Sequence, residues 1–461
     1  MLTTAYDVII LGSGQAAGPL ATTLARAGRR TTLVESVHVG GTCINEGCTP
    51  TKTMVASARV AHLARRAADY GVRTGPVDVD MTVVRQRKRA IVESFRGGST
   101  RAITAGGADL LSGVASFTAS DRVLVRSDVE DRELTAPLII VNVGARPARP
   151  PIPGLDTVPT LDSTSIMELD TVPEHLIVLG GGYIGIEFGQ MFRRFGSRVT
   201  VLQRDRRLLA REDADIAEAV AAILREDGLG IHLETDVVAV APGPGGTIAV
   251  TARSAGGDQS TYSGTHLLVA TGRVPNTDRL GLAAAGVSTD ERGFIVVDER
   301  LGTNVPGIYA VGDVKPGPAF THISYDDFRI LRTNLVEGGD ATTTNRLVPY
   351  CVFMDPQLAG VGLHEEEALA QGRNVRVARM GMDRVARALE VDESRGFMKA
   401  LVDAETGRIL GFTVLGIEGG EMMAAMQLAM MGGLPYTALR DAIFAHPTLM
   451  ESFNNLFASM S

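Results

Sequence analysis

One pattern occurs twice in the sequence and narrows the possible folds sharply. A strand-like run at residues 6–11 meets a glycine turn at 12–18, a helical run at 19–28 and a second apolar run at 31–35. The same order returns about 168 residues later: an apolar run at 176–179, a glycine turn at 180–185, a helical run to Phe195 and a strand-like run at 198–202. A strand that feeds a glycine turn and then a helix comes back parallel to itself, so each unit opens a βαβ crossover. Two such openings predict an α/β chain with two doubly wound, Rossmann-like dinucleotide-binding domains. Two apolar strands end alike, in Gly144-Ala145-Arg146-Pro147 and in Thr271-Gly272-Arg273-Val274-Pro275. These paired exits mark where the chain enters and leaves the second domain. From about residue 346 short strands mix with helical runs at 421–432 and 447–458, without a nucleotide fingerprint. A separate α+β domain is expected there. The boundaries read as 1–150 with 276–345, 151–275, and 346–461.

Bulk properties remove several classes of function. The chain has 461 residues, 45% hydrophobic and 21% charged, a composition typical of folded globular proteins. The net charge of −8, the absence of tryptophan and only 5% aromatic residues give no platform for nucleic acid. Arg85, Arg87, Lys88 and Arg89 cluster, and are read as the solvated face of a helix. No apolar run is long enough to span a bilayer, and a strand begins where a secretory signal would lie. A cytoplasmic location is therefore expected, with neither membrane nor nucleic-acid partners. In a reducing compartment three cysteines make no disulfide framework, and two close together suggest catalysis or a metal site.

The first glycine turn, Gly12-Ser13-Gly14-Gln15-Ala16-Ala17, has the chemistry of a pyrophosphate cradle. Gly12 permits the tight turn, Gly14 lets backbone approach the phosphates, and Ala17 allows close helix packing. The helix N-terminus attracts the anion, and Glu35, 23 residues on, can accept from ribose hydroxyls. The second turn, Gly180-Gly181-Gly182-Tyr183-Ile184-Gly185, is followed by Gln203 where an acid would repel a ribose phosphate. Arg204, Arg206 and Arg207 come next, and Arg204 is the candidate phosphate ligand. This favours NADPH, with NADH possible.

Cys43 and Cys48 lie in Gly40-Gly41-Thr42-Cys43-Ile44-Asn45-Glu46-Gly47-Cys48-Thr49-Pro50-Thr51-Lys52. On a regular helix their Cα atoms would stand roughly 8–9 Å apart, too far for a disulfide, which needs about 4.4–6.8 Å. The chain must bend between them, and Gly47 offers the freedom. Pro50 suits the first turn of a following helix, which places Cys48 near a helix N-terminus and favours its thiolate. No CxxC pair or histidine cluster completes a metal site, so none is expected. Glu46 is expected to raise the thiol pKa values, as a nearby acid does.

The Gly-Gly-Thr-Cys-x4-Cys-x-Pro-x-Lys run resembles the flavoprotein disulfide reductases, a family that includes glutathione reductase, lipoamide dehydrogenase and mercuric reductase. The likeness extends over essentially the whole chain. It implies FAD on the first dinucleotide fold, with Gly41, Thr42, Gly144, Gly312 and Asp313 joining the first glycine turn. It implies NAD(P)H on the second, with Gly180, Gly182, Tyr183, Gly185, Gly272 and Arg273. By resemblance Cys48 lies against the flavin in a charge-transfer contact and Cys43 attacks the substrate. Lys52 would pair with Glu187 beside the flavin's reactive edge, and Tyr183 would cover the nicotinamide pocket. His446 and Glu451 resemble the family's proton-handling dyad, which in a homodimer completes the active site of the partner subunit.

Local runs such as Pro50-Thr51-Lys52-Thr53 and Phe320-Thr321-His322-Ile323-Ser324-Tyr325-Asp326-Asp327 are most similar to the mercuric-reductase-like subgroup. That subgroup includes reactive-chlorine resistance and hypothiocyanous acid reductases. The expected activity is electron transfer from NAD(P)H through FAD and the cysteine pair to a small oxidant or disulfide. Two other readings stay open. One is a metal-ion reductase, against which stand the presence of His446 and a final Phe457-Ala458-Ser459-Met460-Ser461 without cysteine. The other is a lipoamide-dehydrogenase-like component of a larger complex.

Overall fold

The computed structural model describes residues 3–460. Two parallel sheets form its centre. The first has five strands in the order Ile308–Ala310, Leu138–Val141, Val8–Leu11, Thr31–Glu35, Asp109–Ser112. The second has four, in the order Gly230–His232, Arg198–Leu202, His175–Leu179, His266–Val269. In both, the strand that feeds the glycine turn is interior to the sheet. Val8–Leu11, Leu138–Val141 and His175–Leu179 are buried at every position. Parallel sheets require this, because crossover helices cover both faces. The helices Ala17–Arg26 and Tyr183–Phe195 follow the two turns.

The second unit is inserted in the first. Ala145–Pro147 and Arg273–Pro275 form a two-stranded antiparallel ladder, with Ala145 opposite Pro275 and Pro147 opposite Arg273. The outgoing and returning chains therefore run side by side. The C-terminal part is a five-stranded antiparallel sheet in the order Tyr350–Val352, Gln357–Gly362, Ile409–Gly416, Phe397–Asp403, Val375–Gly381. Helices Gly419–Met431 and Ser452–Ala458 pack on it through Met422, Met426, Phe453 and Phe457.

The α/β class, two Rossmann-like units and a C-terminal α+β unit agree with the sequence expectation. Local differences have physical causes. Residues 294–307 open with an apolar run at 294–297, as strands do, yet they make only isolated bridges before Ile308–Ala310. Asx-type turns at Asp290 and Asp298 take up their backbone donors instead. The helical run expected at 447–458 begins only at Ser452. The basic cluster is not simply a solvated face. Lys88 is buried and paired with Glu168, which also takes Arg89, while Arg87 donates to the Thr53 carbonyl at 2.8 Å. Arg87 thereby ties the long helix Met81–Ala105 to the helix that carries Cys48, while Arg85, Lys88 and Arg89 tie it to Glu168. Among the described residues no helix is long and apolar enough to cross a membrane.

Candidate active site

Cys43 lies in the short helix Gly41–Asn45 and Cys48 is the first residue of the helix Cys48–Arg65. The bend falls at Glu46 and Gly47, as the disulfide geometry demands. Gly47 serves it by its size: a Cβ there would meet the Thr42 carbonyl oxygen at 2.9 Å. Both cysteines are free thiols, Cys43 half-buried and Cys48 exposed. Cys43 donates to the Cys48 sulfur, which holds Cys48 down to about 6. Burial opposes this, and Thr321 and Lys52 reinforce it. The Thr321 Oγ1 lies 3.2 Å from the Cys48 Sγ, at the start of helix Thr321–Leu335. Cys43 is pushed up by the same hydrogen bond, by burial and by the charge on Cys48. The shared hydrogen bond thus favours the thiolate at Cys48 and the thiol at Cys43.

Glu46 does not govern the pair, contrary to expectation. Its Oε2 accepts from Thr164 Oγ1 at 3.3 Å, and its charge is felt by Arg273. One turn beyond Cys48, Lys52 Nζ lies 2.7 and 3.0 Å from the two Glu187 carboxylate oxygens. Glu187 also accepts from the Phe353 backbone N–H at 2.8 Å, and Lys52 lies over the Phe353 ring. A buried carboxylate with two donor groups, one of them the Lys52 cation, fixes both side chains.

The first glycine loop is packed tightly from inside. Gly12 has φ +85°, and a Cβ would lie 2.5 Å from the Asn142 carbonyl oxygen. At Gly14 a Cβ would lie 2.5 Å from the Asn142 Oδ1, and at Gly41 it would lie 2.8 Å from the Gly14 Cα. Gly14 is therefore small because Asn142 occupies the space, as well as for phosphate approach. Asn142 accepts from the Ala17 N–H at 3.2 Å and donates to the Val311 carbonyl at 2.8 Å. Sequence reading missed it, although a polar residue closing the apolar run 138–141 was a visible signal. Glu35 accepts from the Ser13 N–H and hydroxyl through one oxygen and from the Val37 N–H through the other. These bonds hold its carboxylate at the mouth of the loop. Thr42 is half-buried between Gly41 and Cys43.

Asp313 follows Gly312 in a single helical turn, and burial pushes its carboxyl up against the pull of Arg273 and Lys315. Behind it, fully buried Asp327 pairs with Lys315 at 3.1 Å and Arg346 at 3.0 Å and accepts from the Gly312 N–H. The Arg273 guanidinium donates to the Ala145 carbonyl, yet its buried Nε has no protein partner. At Gly144 and Gly272, both with positive φ, a Cβ would meet nothing within 4 Å. A cramped loop, an orphaned buried donor and open glycines fit bound dinucleotides such as FAD and NAD(P)H.

In the second loop Gly180 has φ +102°, and a Cβ would lie 2.5 Å from the Ala270 carbonyl oxygen. Gly185 packs on Gly180, whereas Gly182 faces open space. Gln203 accepts from the Gly181 N–H at 2.8 Å, so an amide closes the turn where the first loop uses an acid. Arg204 is 76% exposed, with only Asp205 near it at 3.6 Å. Arg207 is committed to Glu366 of the C-terminal unit by two bonds of 2.9 and 3.0 Å. His446 Nδ1 lies 2.9 Å from Glu451 Oε2, and the imidazole is 68% exposed.

The model of the pyridine nucleotide-disulphide oxidoreductases matches residues 6–327, and that of their dimerisation domain matches 348–457. The chain belongs to this family. It is an oxidoreductase that uses FAD and NAD(P)H, and it carries the family's dimerisation domain. Over 458 residues it is 40% identical to a probable pyridine nucleotide-disulfide oxidoreductase, RclA, of Escherichia coli, covering 98% of this chain and 99% of that one. A Bacillus cereus mercuric reductase is 35% identical, covering 97% of this chain and 70% of the relative. A Haloferax volcanii dihydrolipoyl dehydrogenase is 34% identical, covering 98% and 95%. The solved structure of the HOCl-induced flavoprotein disulfide reductase RclA from E. coli superimposes with a TM-score of 0.90 at 39% identity, covering 99% and 100%. Its Cu(II) complex gives 0.91 at 38% identity, with the same coverage.

Proposed function

We propose that the chain is an NADPH-dependent reductase that passes electrons through Cys43 and Cys48 to a small oxidant or disulfide. The observation that carries the reading is Cys48 as the first residue of a helix, its Sγ 3.2 Å from the Thr321 hydroxyl and one turn from the Lys52–Glu187 pair. In this reading residues 1–150 with 276–345 hold FAD, through Gly12, Gly14, Ala17, Glu35, Gly41, Thr42, Lys52, Gly144, Gly312 and Asp313. Residues 151–275 hold NADPH, through Gly180, Gly182, Tyr183, Gly185, Glu187, Arg204, Gly272 and Arg273. Residues 346–461 form a homodimer.

FAD held by the first glycine loop and Asp313 would supply two-electron transfer between the nicotinamide and the cysteine disulfide. Lys52, fixed by Glu187, presents a cation where negative charge develops. With the disulfide opened, Cys48 rests as thiolate and Cys43 holds the proton. His446 of the partner subunit takes that proton, oriented by its own Glu451. The Cys43 sulfur then attacks a sulfur of the acceptor, the acceptor's S–S or S–O bond breaks, its leaving group takes the proton from His446, and a mixed disulfide forms. Cys48 attacks Cys43, the adduct bond breaks, and the disulfide reforms with two electrons delivered. Gln203 in place of an acid, with Arg204 free to pair, supports NADPH over NADH. A soft metal cation is a second acceptor class, supported by two thiols within hydrogen-bonding reach and by relatives described as mercuric reductase and as an RclA Cu(II) complex.

Anaerobic titration of the purified holoenzyme with NADPH tests the electron count. Two electrons beyond the flavin's own are expected, with long-wavelength absorbance at the half-way point. Turnover with hypothiocyanous acid, glutathione disulfide, lipoamide, Hg(II) and Cu(II) then separates the acceptors. A colourless protein that cannot be reconstituted with FAD would overturn the proposal.

A further inference from the structure

Glu212 is 1% exposed, and it lies on the loop that leaves strand Arg198–Leu202. Each of its carboxylate oxygens has one hydroxyl donor. Tyr183 Oη donates to Oε1 at 3.1 Å, and Tyr350 Oη donates to Oε2 at 2.6 Å. The two tyrosine rings stack nearly parallel, 6° apart with centroids at 6.0 Å, and Phe320 continues the stack beyond Tyr183. His364 Nδ1 stands 4.0 Å from Oε2 and has no hydrogen-bond partner of its own. Burial pushes the Glu212 carboxyl up, and the hydroxyl bonds and His364 restrain that rise.

The two hydroxyls come from different elements. Tyr350 sits in the first strand of the C-terminal sheet, opposite Gly360. A Cβ on Gly360 would lie 2.5 Å from the Tyr350 hydroxyl, so the ladder is cleared to let that ring lie across it and reach Glu212. Tyr183 is the first residue of its helix, next to Gly182, where a Cβ would meet nothing. A buried carboxylate left without donors is costly. When the Tyr183 ring turns aside, Oε1 loses its partner but Oε2 keeps Tyr350.

We infer that Glu212 and Tyr350 are positioning residues for nicotinamide entry: they hold Tyr183 closed through a hydroxyl–carboxylate–hydroxyl bridge, and Tyr350 makes its release possible. This rests on the reading that Tyr183 covers the nicotinamide pocket. It goes beyond that reading by making the C-terminal unit set how readily the pocket opens. Without the Tyr350 hydroxyl, Glu212 depends on Tyr183 alone and the closed position is favoured. With an amide in place of the carboxylate, the bond to Tyr183 weakens and the open position is favoured.

The test uses FAD-loaded enzyme and NADPH. Tyr350→Phe should raise the KM for NADPH about five- to tenfold, the worth of one hydrogen bond, with a smaller change in kcat. Glu212→Gln should lower that KM about two- to fivefold. In a Tyr183→Phe background the Tyr350→Phe effect should vanish, since the bridge is already cut. Shifts of the same sign in Tyr350→Phe and Glu212→Gln, or a Tyr350→Phe effect that survives in Tyr183→Phe, would overturn the bridge. Should Tyr350→Phe not retain FAD, the coupling is read from Glu212→Gln against Tyr183→Phe, and its absence overturns the bridge equally. If Tyr183→Phe and Tyr183→Ala both leave NADPH binding unchanged, the fault lies in the pocket-cover reading itself.

Discussion

The two glycine loops share a scaffold and differ in what stands around them. The first is closed from two sides: Asn142 fills the space beneath Gly14, and the redox segment lays Gly41 on top of it. The second is backed by Gln203, Leu208 and the Ala270 carbonyl, but its Gly182 opens outward where Asn142 fills the space at Gly14. A loop clasped by the chain that also carries the reactive sulfurs suits a cofactor that never leaves. A loop backed on one side and open on the other suits a nucleotide that exchanges each turnover. One backbone motif thus serves retention or exchange according to its neighbours.

The largest expected effect concerns the clasp itself. Cys48→Ser should abolish the long-wavelength absorbance of the half-reduced enzyme and cut turnover by about 10³-fold or more. Cys43→Ser should lose turnover but retain the absorbance, and absorbance spectra with steady-state assays distinguish the two. Next, Gly14→Ala should cost about 1–3 kcal/mol of overpacking, lowering the melting temperature and FAD content. Gly182→Ala should fold and retain FAD while weakening NADPH; equal losses in the two variants would erase the contrast between the loops. At the open loop, Arg204→Ala should raise the KM for NADPH about tenfold and leave that for NADH nearly unchanged. The smallest effect is a titration. The Cys48 thiolate persists above about 6 and is protonated as pH falls through that value. Thr321→Val removes a stabilising hydrogen bond, so the midpoint of the absorbance loss should move up by a few tenths to one pH unit. A downward shift would contradict the assignment.

Much of this was legible because the glycine turns and the cysteine spacing are local. Gly12, Gly180, the bend before Cys48 and its place at a helix N-terminus follow from short-range sterics. The partners of those residues are remote in sequence: Asn142 beneath Gly14, Thr321 against Cys48, Phe353 on Glu187, Tyr350 on Glu212. No spacing rule reaches across such separations. Glu46 shows the same limit from the other side, since proximity along the chain suggested an influence on the thiols that its contact with Thr164 redirects. The Arg87–Lys88–Arg89 cluster misled because composition cannot reveal that Lys88 is covered.

The ladder between Ala145–Pro147 and Arg273–Pro275 has a consequence for how this architecture could arise and change. Everything between its strands departs and returns through a single doorway, where opposed Cα atoms stand about 4.5–5.5 Å apart. A short turn could bridge that gap, leaving the five-stranded sheet continuous without the guest unit. Grafting a different nucleotide module at this doorway would change the electron donor, provided that the new module restored a carboxylate where Glu187 holds Lys52.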